Sequence, residues 1–275
     1  MGGLSPKDRA ELMRKLTSRV REATAGVKKV LMVMSGKGGV GKSITAASLA
    51  IALSTLGCRV AILDADVHGP SIPWLMGVED KAMMADDDGR IIPVDAGGVG
   101  VVSVELALDR KDLPLVWRGP LKTRAILDLL GMVKWGELDY LVVDLPPGTG
   151  DEPQTVARYL SVKNPEGVLV AIPGRMVTHI VSKARNFAEI VGIKVLGLVV
   201  NMAYYRCPSC GHVEKVFGEI GDLGLDVLAE LPLDPRVSRA ADEGRLTELF
   251  REEGVEWVGK MVELARKVAA GRTGT

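Results

Sequence analysis

The sequence predicts a doubly wound α/β fold, in which helices cover both faces of a mostly parallel sheet. Short apolar runs alternate with longer segments of helical periodicity along the chain. The first apolar run, Lys29–Ser35, leads through the glycine-rich loop Gly36–Ser43 into a helix-like segment. Asp64, Asp66 and Asp144 follow two further buried-type strands. Because ligands bind at the carboxyl ends of parallel strands, the loop and the aspartates predict one site at that edge.

Composition restricts the functional class. The chain has 275 residues, of which 47% are hydrophobic, enough for a full core. Lys+Arg and Asp+Glu both number 35, so no overall field attracts nucleic acid or anionic lipid, and neither is expected as a partner. The longest apolar runs, such as Gly167–Ile172, fall far short of the ~20 residues of a membrane span. No signal peptide is visible after Met1, and three cysteines are too few for a disulfide framework. We expect a cytoplasmic protein.

An amphipathic helix is predicted at the N-terminus, over Pro6–Ala23. Ser5 can cap it and Pro6 suits its first turn. Leu12, Met13, Leu16 and Val20 share one face, which packs on the domain or on a partner. We divide the chain into this helical segment, residues 1–26, and a single phosphate-loop domain, residues 27–275.

The remaining elements follow from periodicity and turn residues. Gly57 ends the helix after the loop, the turn-rich segment Val67–Pro73 follows the second strand, and Glu79–Arg90 is interpreted as an exposed acidic loop. Strands are predicted at Arg59–Leu63, Arg90–Val94, Gly100–Glu105, Leu138–Val143, Val168–Ile172, Lys194–Val200 and Val227–Leu231. Helices are predicted at Ile44–Leu56, Leu121–Val133, Thr178–Val191, Phe217–Leu223 and Val255–Ala269.

The glycine-rich loop matches the Walker A pattern of a phosphate-binding loop. Its glycines let backbone N–H groups surround phosphates, while Lys42 adds positive charge and Ser43 offers a ligand for Mg²⁺. Lys37 lies at the mouth of the loop and is expected to point outward. The predicted nucleotide-binding residues here are Gly36, Lys37, Gly38, Gly39, Val40, Gly41, Lys42, Ser43 and Ile44.

Three aspartates extend this site. Asp144, after Leu141–Val143, resembles a Walker B aspartate that holds Mg²⁺; the alternative is a strand-end residue that caps the next turn. Asp66 is a candidate for orienting the attacking water, with Asp64 as its neighbour in the metal shell. The alternative for Asp66 is an ordinary turn residue.

The sequence resembles a known family. Gly36–Ser43, with its extra lysine, resembles the deviant Walker A loop of the MinD/ParA-like class of P-loop NTPases. Four further segments are together similar to the Mrp/ApbC family of iron–sulfur cluster carrier ATPases. They are Leu63–Pro73, Trp117–Pro120, Asp144–Asp151 and Cys207–Gly211.

The resemblance implies roles for several residues. Lys37 would contact nucleotide in the partner subunit of a sandwich dimer. Asn201 and the loop at Pro232 would border the adenine, although a strand-end Asn and a turn Pro are the plain alternatives. Ile44 departs from a Thr common in the family, and Ile172–Arg175 departs from its usual Thr–Pro–Gln, so that segment receives no role. The N-terminal cysteine cluster of the eukaryotic cytosolic members is missing from this sequence.

Cys207 and Cys210 form a Cys-x-x-Cys pair, which is typical of half a zinc site, half an iron–sulfur site or a redox pair. A metal knuckle in a loop is favoured, and both metals require about four ligands. Cys58 precedes its strand and lies at the opposite edge of the sheet, ~20 Å away. A homodimer that shares one 4Fe-4S cluster is therefore favoured over structural Zn²⁺. His212 could complete a zinc site, but a solvated loop histidine is the favoured interpretation of it.

The predicted function is that of an ATP- and Mg²⁺-dependent homodimeric carrier, which hydrolyses ATP and assembles or transfers iron–sulfur clusters to apo-proteins. A different class of function is a partition or positioning switch of the MinD/ParA type. Its membrane form needs a basic amphipathic tail, whereas residues 256–268 carry both signs of charge. A zinc-stapled NTPase without cluster chemistry and an ATP-dependent ligase on the same fold are two more candidates.

Overall fold

The computed structural model describes residues 5–67, 69–107, 119–174, 176–221 and 223–271. The helices are α1 (Pro6–Ala23), α2 (Lys42–Thr55), α3 (Ile72–Leu75), α4 (Gly119–Met132), α5 (Asp151–Leu160), α6 (Val177–Ile190), α7 (Pro235–Asp242), α8 (Leu246–Leu249) and α9 (Glu256–Ala269). The strands are β1 (Val27–Met34), β2 (Val60–Asp64), β3 (Met84–Ala85), β4 (Ile91–Ile92), β5 (Val94–Asp95), β6 (Val99–Ser103), β7 (Leu138–Asp144), β8 (Glu166–Ala171), β9 (Lys194–Arg206), β10 (Val213–Glu214) and β11 (Val227–Pro232).

The central sheet confirms the predicted doubly wound, mostly parallel fold. Its order is β9, β8, β1, β7, β2, β6, β5, and both β10 and β11 pair with β9. Within this sheet, β5–β6 and β9–β10 are antiparallel and the other pairs are parallel. The order brings the carboxyl ends of β1, β7, β2 and β9 to one edge, beside the glycine-rich loop.

Two layers of helices bury the two faces of the sheet. Helices α2 and α9 pack together on one face with α7 and α8. Helices α1, α4, α5 and α6 cover the other face. Leu16 and Val20 of α1 are buried in that second layer, so α1 packs on the domain. Ser5 caps it through a reciprocal bond with Asp8, as a capping box does.

Strand β9 is longer than predicted. It continues past Val200 to Arg206 because β11 pairs with it as far as Tyr204 and β10 pairs with its last two residues. Asn201 therefore lies inside the strand rather than just after it. The cysteine loop leaves the sheet at Arg206, farther along the chain than the predicted strand end.

The predicted helix at Phe217–Leu223 is wrong. The described residues of this segment form turns and irregular structure, with a positive φ at Gly218 and few buried apolar side chains to hold a helix. Helices α3, α5, α7 and α8 are additions to the predicted elements. Helix α5 begins with two acidic residues and Pro153, and α7 begins at the Asp234–Pro235 pair. These residues are typical of helix N-termini, but both helices are too short for apolar periodicity to reveal them in the sequence.

Some residues of the sequence analysis lie outside the described part of the chain. His68, Trp117 and Arg118, which belong to the segments that carry the resemblance, are among them, as is Arg175. Within the described ranges, no helix has the length and hydropathy needed to cross a membrane.

Candidate functional site

The glycine-rich loop connects the carboxyl end of β1 to the N-terminus of α2. Gly39 and Gly41 have φ values of 75° and 80°, and Gly41 is the N-cap of α2. The carbonyl of Ser35 accepts a hydrogen bond of 2.9 Å from the N–H of Gly148, which holds the loop after β7 against this one. The loop thus opens onto a helix N-terminus, the arrangement that favours phosphate binding.

Two glycines are required by close contacts. A Cβ on Gly36 would collide with Ile180 of α6, and a Cβ on Gly41 would collide with the side-chain nitrogen of Asn201. Gly41 also has a positive φ, which a residue with a side chain rarely adopts. The loop is therefore confined from both sides, by α6 and by β9.

Lys42 and Asp144 form a buried ion pair at the centre of the site. Lys42 Nζ lies 2.5 Å from Asp144 Oδ1 and 3.3 Å from Ser43 Oγ. The Lys42 side chain is 7% exposed and that of Asp144 is fully buried. Asp144 Oδ2 is buried without a hydrogen-bond partner in the described part of the chain. Burial raises the pKa of Asp144, opposed by Lys42.

Asp64 lies beside Asp144, since the two residues are paired in register between β2 and β7. Its Oδ1 accepts the N–H of Asp66 at 3.1 Å, and its Oδ2 accepts the N–H groups of Ser71 and Ile72 at 2.9 and 3.1 Å. Burial, and then the charge of Asp144, raise the pKa of Asp64 to about 8. The positive charge of Lys42 and the N–H groups that Asp64 accepts oppose this rise in its pKa.

Asp66 is half-buried, directly beyond the end of β2, and Asp64 holds its backbone as described above. The structure thus brings the three predicted aspartates to the same edge as the glycine-rich loop. The catalytic role of Asp66 and the metal-shell role of Asp64 stay predictions.

Asn201 braces the glycine-rich loop. Its Nδ2 donates to the carbonyl of Val40 at 3.0 Å, and its Oδ1 accepts the N–H of Met202 at 3.0 Å. Met202 has a φ of 54°, a conformation that costs a side-chain-bearing residue energy and here lies within β9, next to Asn201. No local signal in the sequence indicates this contact with the loop. The position of Asn201 beside the adenine stays a prediction.

The remaining residues of the glycine-rich loop differ in how far their side chains are exposed. Lys37 is exposed, in agreement with its expected outward direction, and Ser43 is half-buried beside Lys42. Ile44 packs partly into the core, so its part in nucleotide binding stays a prediction. Lys37 also borders a pocket of about 360 Å³ between the loop and α6, lined mostly by apolar side chains, among them Ile172 and Ile180.

Pro232 lies on a second cleft, of about 390 Å³, beyond Asn201 along β9. The cleft separates the loop after β11 from the end of β9. Its walls are Tyr205, Arg206, Pro208, Pro232, Leu233, Asp234, Pro235, Arg236 and Glu256. The adenine-bordering role of Pro232 stays a prediction. One residue of this wall, Glu256, has no signal in the sequence, because no local pattern marks a glutamate at the start of a helix as functional.

The cysteine pair lies at the turn of the β9–β10 hairpin. The Cys207 N–H bonds the His212 carbonyl, and the Gly211 N–H bonds the Cys207 carbonyl, both at 2.9 Å. Cys207 is half-buried, and Cys210 is exposed. The backbone N–H groups of Cys210 and Ser209 lower the pKa of the Cys207 thiol, which favours the thiolate that binds metals.

The cysteine hairpin brings two potential metal ligands together. In the described part of the chain, no three His, Cys, Asp or Glu side chains come together to hold a metal, so His212 does not complete a site with the cysteines. Cys58 precedes β2 at the opposite edge of the sheet, where burial raises its thiol pKa. A metal bound by Cys207 and Cys210 would need further ligands from outside these residues.

Comparisons with known proteins agree with this geometry. A family model described as NUBPL iron-transfer P-loop NTPase matches residues 26–269. An iron-sulfur cluster carrier protein of Saccharolobus solfataricus is 44% identical over 233 residues, which are 82% of this chain and 78% of that protein.

Solved structures extend the comparison. A nucleotide-binding protein of Archaeoglobus fulgidus, in complex with ADP and with cobalt, has 38% identity and a TM-score of 0.74, covering 85% of this chain and 93% of that one. The cell division ATPase MinD of Pyrococcus furiosus, at 20% identity and a TM-score of 0.66, covers 89% of this chain and 100% of its own, and it shows the fold alone. The resemblance found in the sequence is confirmed: this chain belongs to the family of NUBPL-type iron-transfer P-loop NTPases.

Proposed function

We propose that this protein binds and hydrolyses ATP and, as a homodimer, assembles or transfers iron–sulfur clusters to apo-proteins. The observation that carries the proposal is a cysteine pair at the turn of a hairpin, with Cys210 exposed and a lowered thiol pKa at Cys207, in the same chain as a phosphate-binding loop that opens onto α2. The name of the S. solfataricus relative, an iron-sulfur cluster carrier protein, supports it.

The nucleotide would bind along the edge that the glycine-rich loop and the aspartates share. The loop N–H groups and Lys42 would hold the phosphates, and Asp66 would orient the attacking water. Lys37 would reach the nucleotide of the partner subunit, while Asn201 and Pro232 would border the adenine. In support, Asn201 bonds the loop at the carbonyl of Val40, and Pro232 lines the 390 Å³ cleft that Tyr205 and Arg206 of the same strand, β9, also line.

The residues at Asp144 fit a magnesium ion. The unpartnered buried Oδ2 of Asp144 and the nearby hydroxyl of Ser43 are hard oxygen donors of the kind that Mg²⁺ prefers. Bound there, Mg²⁺ would neutralise charge that develops on the phosphates. Ser43 and Asp144 would hold it, with Asp64 as a neighbour.

The cluster is the cargo, and each chain supplies only part of its ligand set. Cys207 and Cys210 provide two thiolates, whereas a 4Fe-4S cluster takes about four. Two hairpins, one from each subunit, would complete the set, and exposure of Cys210 leaves it accessible to a second copy. Zn²⁺ on the same four cysteines is the alternative occupant.

We place the protein in the cytoplasm. All three cysteines are free thiols, as expected in a reducing compartment. The relatives named cytosolic Fe-S cluster assembly factors, such as the NUBP2 homolog of Culex quinquefasciatus at 40% identity over 81% of this chain and 91% of its own, support this placement.

The test replaces both hairpin cysteines, Cys207→Ser and Cys210→Ser, and compares cluster uptake with ATP binding. We expect the double variant to take up no cluster after anaerobic incubation with iron and sulfide, while its ATP affinity stays within about twofold of the wild type. Cys58→Ser, at the opposite edge of the sheet, is the control and should retain the cluster. Loss of cluster and ATP binding together would indicate a structural metal and contradict the carrier function.

A further inference from the structure

Glu256 makes three hydrogen bonds to the end of β9. Its Oε1 accepts from the Tyr204 hydroxyl at 2.8 Å and from Arg206 Nη2 at 3.3 Å, and its Oε2 accepts from Arg206 Nε at 2.9 Å. Glu256 begins α9, where a carboxylate is favoured by the helix dipole. The next residue, Trp257, is 1% exposed in the core. Glu256 therefore joins a firmly packed helix to the strand that leads into the cysteines.

Arg206 is the last residue of β9 and directly precedes Cys207. Val213 pairs with Arg206 and Glu214 with Tyr205, so these short pairs form the base of the cysteine hairpin. On either side of Val213 and Glu214, residues 208–212 and 215–219 are exposed and belong to neither core cluster. The position of the two thiols relative to the domain is consequently determined at the base of the hairpin, where Glu256 holds Arg206.

The same contacts form a wall of the 390 Å³ cleft. Arg206, Glu256 and Pro208 line it on the hairpin side, and Pro232 and Arg236 line it on the other. Pro208 lies between the two cysteines in sequence. An occupant of the cleft would therefore touch the cysteine turn and the residues that hold its base.

We propose that Glu256 is a positioning residue that, through Arg206, couples occupancy of this cleft by an adenine nucleotide to metal binding by Cys207 and Cys210. The proposal rests on the proposed function, because it places the base of the nucleotide beside Pro232. A ligand in the cleft contacts the Arg206–Glu256 pair and shifts the hairpin base, which changes how well the two thiols are spaced for a metal. Coupling of this kind is reciprocal, so metal on the cysteines changes nucleotide affinity by the same factor.

This coupling lies within one subunit. It requires only the end of β9, the start of α9 and the loop after β11, all of which line one cleft of the chain. A second subunit would complete the set of metal ligands. The Glu256 contacts act on the two cysteines of their own subunit and determine how those cysteines respond to nucleotide.

The experiment measures Co²⁺ affinity of the full chain by cobalt–thiolate absorption, with and without saturating ADP. In the wild type we expect ADP to change the Co²⁺ affinity about fivefold or more, within the usual range of allosteric coupling. In Glu256→Gln, the Co²⁺ affinities measured with and without ADP should differ by less than about twofold. Glu219→Gln is the matched control, because Glu219 is a carboxylate ion-paired to Lys215 at 2.7 Å on the same exposed segment but outside the cleft. In Glu219→Gln, ADP should change the Co²⁺ affinity as much as it does in the wild type.

A second variant, at Arg206, tests the same coupling in case Glu256→Gln fails to fold. Arg206→Gln leaves the Tyr204–Glu256 bond in place and should also lose the coupling. An ADP effect in Glu256→Gln or Arg206→Gln equal to that of the wild type overturns the proposal, as does a wild-type Co²⁺ affinity that ADP leaves unchanged. Both results are distinct from failure of the carrier function, in which the reconstituted wild type would hold no cluster on its cysteines.

Discussion

Lys42 Nζ lies 2.5 Å from Asp144 Oδ1, and both side chains are buried at the carboxyl edge of the sheet. This pair joins the glycine-rich loop to the end of β7. A buried carboxylate that loses its only cation is left uncompensated in a region of low dielectric. The residue that would hold phosphates is therefore also a structural partner of the residue that would hold Mg²⁺.

Replacing Lys42 should thus affect stability as well as binding. We expect Lys42→Ala to lower the free energy of unfolding at pH 7 by roughly 3–5 kcal/mol, the usual cost of breaking a buried ion pair, and to abolish ATP binding. Urea unfolding and ATP titration measure the two effects.

Lys37→Ala provides the comparison, since Lys37 is exposed in the same loop. It should change the free energy of unfolding by less than about 0.5 kcal/mol and reduce ATP hydrolysis more than ATP binding. Equal destabilisation by the two replacements would contradict the structural role given to Lys42.

Replacing Asn201 should also weaken the glycine-rich loop. Asn201→Ala removes the bond to the Val40 carbonyl and leaves that buried group unsatisfied, so we expect a loss of about 1–3 kcal/mol in the free energy of unfolding and weaker ATP binding. Asn186→Ala, which removes an exposed amide from α6, is the control and should change neither quantity. ATP affinity unchanged in Asn201→Ala would show that the loop does not need this brace.

The stability of the protein should depend on pH through Asp139, at the amino edge of the sheet. Asp139 accepts from Lys28 Nζ and from the Arg59 N–H, both at 2.8 Å, and these bonds lower its pKa to about 2. The unfolded chain takes up this proton near pH ~4. Between these values the unfolded state binds more protons than the folded state, so the contribution of Asp139 to stability is lost as pH falls through that window.

Unfolding of the wild type and of Asp139→Asn from about pH 6 down to about pH 2 measures this contribution. The difference between the two free energies should be constant above about pH 4 and should shrink at the acid end of the range. A difference that does not vary with pH would mean that Lys28 and Arg59 do not stabilise the carboxylate.

Local patterns were sufficient for the fold and for much of the site. The run Lys29–Ser43 predicted a strand, a loop and a helix because apolar periodicity and glycine spacing are both local properties. The same reasoning brought Asp64, Asp66 and Asp144 to one edge, since the order of parallel strands leaves their carboxyl ends together.

Contacts between distant segments could not be predicted in this way. Asn201 bonds Val40 across the sheet, and Glu256 bonds Arg206 from the last helix, and neither contact is visible in a local pattern. The end of β9 was missed for the same reason, because its extension depends on pairing with β11 and β10. The Phe217–Leu223 segment failed differently, because its two glycines disfavour a helix and only Ile220 and Leu223 pack partly against the core to hold one.

In the proposed carrier, two chains share one iron–sulfur cluster through Cys207 and Cys210. Anaerobic reconstitution with iron and sulfide, followed by metal analysis and native mass measurement, tests it most directly. We expect about four iron atoms for each pair of chains, all four hairpin cysteines bound, no zinc, and the mass of a dimer. Zinc on the cysteines in place of iron, or a cluster held by a single chain, would contradict it.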